Sequence, residues 1–144
     1  MKQDVLITLK GIQHCEGEEP ETMELMTTGT MSWGKGKFAV SYKETALTGT
    51  EGVTSTFYIT APTRVVLNRS GAIESKMVFA QGERNESLYD LGFGALLVSV
   101  NAREVDAKLT ETGGHIHIDY TVTVEQSASS HNTYHITVAP LQKS

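Results

Sequence analysis

Cysteine occurs once in 144 residues, at Cys15, and a single thiol closes no disulfide within the chain. The opening "MKQDVLITLKGIQH" also lacks an apolar core of signal-peptide length, and together these features imply a reducing, cytoplasmic setting. Basic clusters are missing too. With 12 Lys and Arg against 17 Asp and Glu the net charge is −5, which repels phosphate backbones and excludes nucleic acid as an expected partner. No apolar run approaches the ~20 residues of a membrane-spanning helix, so no membrane partner is expected either. The longest run, "ALLVSV", is strand-sized. The chain has no internal repeat, no low-complexity tract and no long amphipathic helical period.

Motifs of catalysis are likewise scarce. There is no Gly-X-Ser-X-Gly elbow, and no pair of carboxylates stands out for acid/base work. "LGFGALL" carries Gly92 and Gly94 but runs into a strand and lacks the lysine of a phosphate loop, so it reads as a bulge or bend. These absences argue against an enzyme and imply no cofactor. Cys15 lies beside His14 and several acidic residues, surroundings that keep a thiol protonated and unreactive.

What is present is alternation. Hydrophobic residues make up 39% and charged residues 20% of the chain, enough for one domain, residues 1–144, with one sizeable core. Apolar side chains recur at every second position in short runs rich in Val, Ile, Thr, Tyr and Phe, bounded by Gly, Pro, Asn and Ser. "DVLITLKGI" alternates Val5, Ile7 and Leu9; "KFAVSY" alternates Phe38, Val40 and Tyr42; "GVTSTFYIT" carries Val53, Phe57 and Ile59. Trp33 follows Met31 on the apolar side of "ETMELMTTGTMSW". "Ala-Pro-Thr" at 61–63 turns the chain into "RVVLNRSG", and "IESKMVFAQGE" places Met77 and Phe79 on one face. "SLYDLGFGALLVSVNARE", "EVDAKLTE", "HIHIDYTVTVE" and "HNTYHITVAP" follow as further runs. About eight to ten short antiparallel strands suggest an all-β meander, which avoids exposed edges best by closing into a single up-and-down barrel; a sandwich is the second choice.

The stretches "YKETALTG", "VVLNRSG", "FAQGE", "LYDLGFG" and "GGHIHIDYTV" occur in an order that resembles the YwiB-like family of bacterial proteins of unknown function. The resemblance spans Ile7 to about Val138 and rests on five short segments in order rather than on one diagnostic motif. It implies a calycin-like antiparallel β-barrel, similar in shape to lipocalins, and it implies no activity.

Two clusters deserve weighing as sites. In "HIHID", His115, His117 and Asp119 share one strand face, as two zinc-ligating histidines of a strand would. The alternating Ile116, Ile118, Tyr120, Val122 and Val124 claim the buried face, so the histidines point outward. Asp119 lies about 13 Å from His115 along the strand. A turn near Ser127–Ser130 would set His117 opposite Pro140 and carry His131 and His135 to the far end. On that arithmetic no metal ligand is expected. The resemblance points the same way, through a family pattern Gly-Gly-X-Ile-X-Ile-X-Tyr whose X positions vary.

Arg69 is the other candidate, because in "RVVLNRSG" it shares a face with Val65 and Leu67. A guanidinium on an apolar face needs a partner, and Glu44 or the carboxylate or phosphate of a ligand would serve. The plain alternative sets its head in water at the strand mouth. The family's recurring Arg-X-Gly and Tyr-X-Glu steps imply a pocket lined by Arg69, Tyr42, Glu44, Tyr89 and Tyr120, with Thr56 as a sixth member; for each tyrosine, plain core packing is the competing role. The functional expectation is a binding module for a small anionic or amphipathic ligand in the lumen or mouth. The alternatives are a filled barrel that contacts another protein, and an enzyme built on the same pocket.

Overall fold

The computed structural model describes residues 1–15, 17–43, 52–71, 74–90, 94–125 and 128–141, with the backbone alone described at 87–90, 95 and 128. Every regular element among the described residues is a strand. In chain order these are β1 (Lys2–Cys15), β2 (Glu21–Gly34), β3 (Lys37–Lys43), β4 (Val53–Ala61), β5 (Arg64–Gly71), β6 (Ser75–Ala80), β7 (Arg84–Asp90), β8 (Ala95–Thr110), β9 (Gly113–Val124) and β10 (Ala128–Pro140).

One antiparallel sheet takes them all, in the order β6-β5-β4-β3-β2-β1-β10-β9-β8-β7. This is the up-and-down meander of the sequence, with its first strand zipped to its last and a seam left between β6 and β7. Turns bridge one end of that seam to β8. The Gly82 amide donates to the Ala102 carbonyl at 2.8 Å, the Ala107 amide to Pro62 at 2.9 Å, and the Val105 amide to Gln81 Oε1 at 3.1 Å. The result is a nearly closed barrel in which the exposed edges of an open sheet are covered.

The period of two does the sorting. Val5, Ile7 and Leu9 of β1, Phe57 and Ile59 of β4, Val65 and Leu67 of β5 and Ile116 and Ile118 of β9 all point inward and are buried. They belong to one contiguous apolar cluster. Phe79 on β6 meets Tyr120 on β9 with ring centroids 4.7 Å apart, so side chains bridge the two sides of the seam. Trp33, half-buried against the cluster as expected, gives its indole N–H to Glu111 at 3.2 Å, at the same end of the barrel as the β6–β7 turn.

One run departs from the sequence expectation. "VSVNARE" and "EVDAKLTE" form a single sixteen-residue strand, β8, rather than two. Inward residues are Val98, Val100 and Ala102 before the break and Val105 and Ala107 after it. The change from even to odd marks a β-bulge, at which the register against β9 shifts between Ala102 and Glu104 and Arg103 is the extra residue.

The two glycines that open "GGHIHIDYTV" are not turn residues. The turn before β9 is Glu111–Thr112, and both glycines already belong to the ladder, with Thr110 opposite Gly113 and Leu109 opposite Gly114. Gly114 has φ +152°, and a methyl group there would stand 1.9 Å from the Lys108 carbonyl oxygen. Close backbone approach, not chain reversal, requires glycine at this point. Gly114→Ala is expected to cost about 2–4 kcal/mol from overpacking and backbone strain, measured by urea denaturation. Gly34→Ala, whose added methyl meets nothing within 4 Å, should stay within about 0.5 kcal/mol of the parent.

Candidate functional site

Strand direction alternates, so the β1–β2, β3–β4, β5–β6, β7–β8 and β9–β10 connections share one end of the barrel. Near that end the inner face changes character. Val40, Phe57, Leu67 and Met77 lie in register across β3 to β6, and the next inward row is Tyr42, Ser55, Arg69 and Ser75. Three hydroxyls and a guanidinium thus follow directly on an apolar row. Tyr42, Ser55 and Ser75 are buried, Arg69 is half-buried, and the Tyr42 ring stacks on Phe57 at 6.5 Å. Among the described residues no buried side-chain nitrogen or oxygen lacks a hydrogen-bond partner, so the row is compatible with its burial.

The six expected pocket residues do not all assemble. Arg69 and Tyr42 share the row. Thr56 does not, because one step along β4 from Ser55 reverses the face: its hydroxyl lies 3.1 Å from that of Ser41, on the outside. Tyr120 is inward but elsewhere, packed on Phe79 and, at 5.6 Å, on Tyr134. Phe79 pairs with Val65, which is about 13 Å along the strand from Arg69. Burial pushes the Tyr120 phenol well above its ordinary pKa, and the Tyr134 phenol beside it adds to the shift. Tyr89 pairs with Leu96 at the Arg69 end, its side chain lying outside the described residues, as does Glu44. Residues 91–93 of "LGFGALL" also fall outside them.

The outer face holds an arrangement that sequence arithmetic misses. Asp119 points outward, as alternation requires, yet it is only 7% exposed. Arg103, the extra residue of the β8 bulge, donates to its Oδ2 at 2.8 Å, and His131 Nε2 is hydrogen-bonded to its Oδ1. Burial works to raise the carboxyl pKa, but the hydrogen bonds and charges of His131 and Arg103 outweigh it and hold Asp119 below the usual carboxylate range. The phase change in "VSVNAREVDA", from Val98, Val100 and Ala102 to Val105 and Ala107, is the sequence signal that a residue is squeezed out at this point.

The expected histidine register is corrected as well. Val124 pairs with Ala128, so β10 starts earlier than a turn at Ser127–Ser130 allows, and His117 faces His135 rather than Pro140. His131 sits opposite both Thr121 on β9 and His14 on β1. All five histidines therefore share the outer face of three adjacent strands, β1, β10 and β9. His135 has its ring centroid 5.7 Å from that of His117 and 6.3 Å from that of His115. Cys15 is half-buried at the end of β1, and burial, together with the Glu18 and Glu21 carboxylates, pushes its thiol pKa up.

Residues 7–136 match the family described as "Domain of unknown function (DUF1934)". The chain belongs to the DUF1934 family. A relative, the uncharacterized beta-barrel protein YwiB of Bacillus subtilis (strain 168), is 29% identical over 135 residues, which is 92% of each chain. The crystal structure of the ywiB protein from Bacillus subtilis superposes with a TM-score of 0.84 at 21% sequence identity, covering 98% of this chain and 94% of that one. This DUF1934 chain thus has a barrel shared along almost its whole length, which bears out the resemblance seen in its five segments, and the family's description assigns no activity to the site.

The Asp119 cluster makes a pH-dependent claim for this DUF1934 barrel. A carboxyl whose pKa is lowered on folding contributes stability that is complete above its unfolded value, about 3.9, and lost as pH falls through the folded one. Asp119→Asn should lower stability near pH 7 by about 1–2 kcal/mol. Urea midpoints of parent and variant should then converge as the pH drops below about 4.

Proposed function

We propose that this protein is a small binding module that holds an anionic group at the barrel mouth, against Arg69. The observation that carries the reading is the inward row Tyr42, Ser55, Arg69 and Ser75, which adjoins an apolar row in the same register. A guanidinium presents a planar fork of donors suited to carboxylate or phosphate, and the flanking hydroxyls add further donors. The apolar row below is itself buried, Val40 at 0% and Phe57 at 2% exposure, so the reading rests on the anionic group and Arg69 and not on a hydrocarbon slot. The contiguous apolar cluster of inward side chains supports a site at the mouth over one deep in the lumen. A second reading, a filled barrel that contacts another protein, draws on that same cluster.

Thermal shift with inorganic phosphate, citrate and decanoate separates the two. At least one probe should raise the Tm of the parent protein, and Arg69→Gln should weaken that binding tenfold or more while Thr56→Ala, on the outer face, leaves it unchanged. A parent indifferent to all three probes, or an Arg69→Gln variant that binds as well as the parent, refutes the anion reading in favour of the filled barrel. Native mass spectrometry of protein purified from its own cells should, on the same reading, show a retained small molecule that Arg69→Gln loses.

A further inference from the structure

The register between β9 and β10 places three imidazoles together on the outer surface of the barrel. His115 and His117 stand two residues apart on β9, and His135 on β10 lies directly opposite His117 and diagonal to His115. We propose that His115, His117 and His135 bind a divalent transition-metal ion of the zinc class, with the Asp106 carboxylate as a fourth donor.

Three arguments converge on this assignment. The first is spacing. Two imidazoles on one tetrahedral zinc, each with a Zn–N bond of about 2.0–2.1 Å, have ring centroids roughly 5 Å apart. His135 is 5.7 Å from His117 and 6.3 Å from His115 between centroids. The second is the carboxylate. Asp106 pairs with His117 across the β8–β9 ladder, and its Oδ2 lies 3.8 Å from His115 Nε2. A carboxylate so placed adds negative charge to a set of neutral imidazoles and either ligates or orients them. The third is freedom to adjust. As the side chains lie, no three His, Cys, Asp or Glu groups among the described residues meet at one point. His115 and Asp106 keep 42% and 40% of their side chains in water and His135 is exposed, so these side chains have room to change rotamer, which binding of one ion requires.

The surrounding charges permit it. Lys10 is opposite His135, but its ammonium leans toward Glu24, 3.8 Å away, and Lys108 is opposite His115 with Asp106 two residues before it on the same strand face. Three histidines leaving a fourth position for a carboxylate or water form a recognised zinc donor set. The site lies on the opposite side of the sheet from the Arg69 row and does not depend on the anion reading.

The test uses the full chain without a histidine tag, titrated with zinc chloride against a competing chromophoric chelator. One zinc ion per chain is expected, with His135→Ala and His117→Ala each weakening binding tenfold or more and His14→Ala and Cys15→Ser leaving it unchanged. Cobalt(II) in place of zinc should show the visible absorption of a four-coordinate site, lost in His135→Ala. The three histidine positions lie on the outer face, and a circular dichroism spectrum unchanged from the parent confirms that each variant, Cys15→Ser included, is folded. No stoichiometric zinc, binding indifferent to His135→Ala, or binding that disappears instead with His14→Ala or Cys15→Ser overturns the proposal.

Discussion

Eleven residue pairs join the first strand to the last, from Val5 opposite Pro140 to Cys15 opposite Ser130. On this ladder the rest of the molecule depends. Without it the meander is an open sheet with two long hydrogen-bonding edges and an inner face that cannot close over its own apolar side chains. With it, β1 and β10 become the middle of the sheet, and the free edges are the short strands β6 and β7, which turns can cover. The ladder joins residues well over a hundred positions apart, so its loop-closure entropy must be met before the core rewards it.

The closed sheet divides every strand into an inner and an outer set of side chains, and each set carries different chemistry. The inner set is apolar through most of the barrel and turns polar at the row containing Arg69. The outer set is where ionisable groups gather, with the histidines of three neighbouring strands and the Asp119 carboxylate held between Arg103 and His131. Arg103 reaches that carboxylate only because the β8 bulge frees it from the ladder. A local irregularity in one strand thereby buries a charge on a face that would otherwise be wet.

Much of this is visible in the order of residues and some of it is not. Val65, Leu67 and Arg69 share a face because they are two apart, and the structure places all three on the inner side. Ile116, Ile118 and Tyr120 likewise mark the buried side of β9 and turn His115 and His117 outward. The grouping of Thr56 with Tyr42 fails by the same rule, since its odd step from Ser55 was legible and a neighbouring threonine has no other claim to the inner face. Tyr120 is harder to place, because alternation says that it is inward but not at what height in the barrel.

The chain by itself determined the fold class and the face of nearly every strand residue, because a period of two is a property of neighbours along the backbone. Only the tertiary structure decided which outward residues meet. Register between strands depends on where the chain reverses, and a shift of a few residues at the β9–β10 turn separates His117 beside Pro140 from His117 beside His135. That is why three histidines spread over twenty-one positions of sequence stand together only after the sheet has closed.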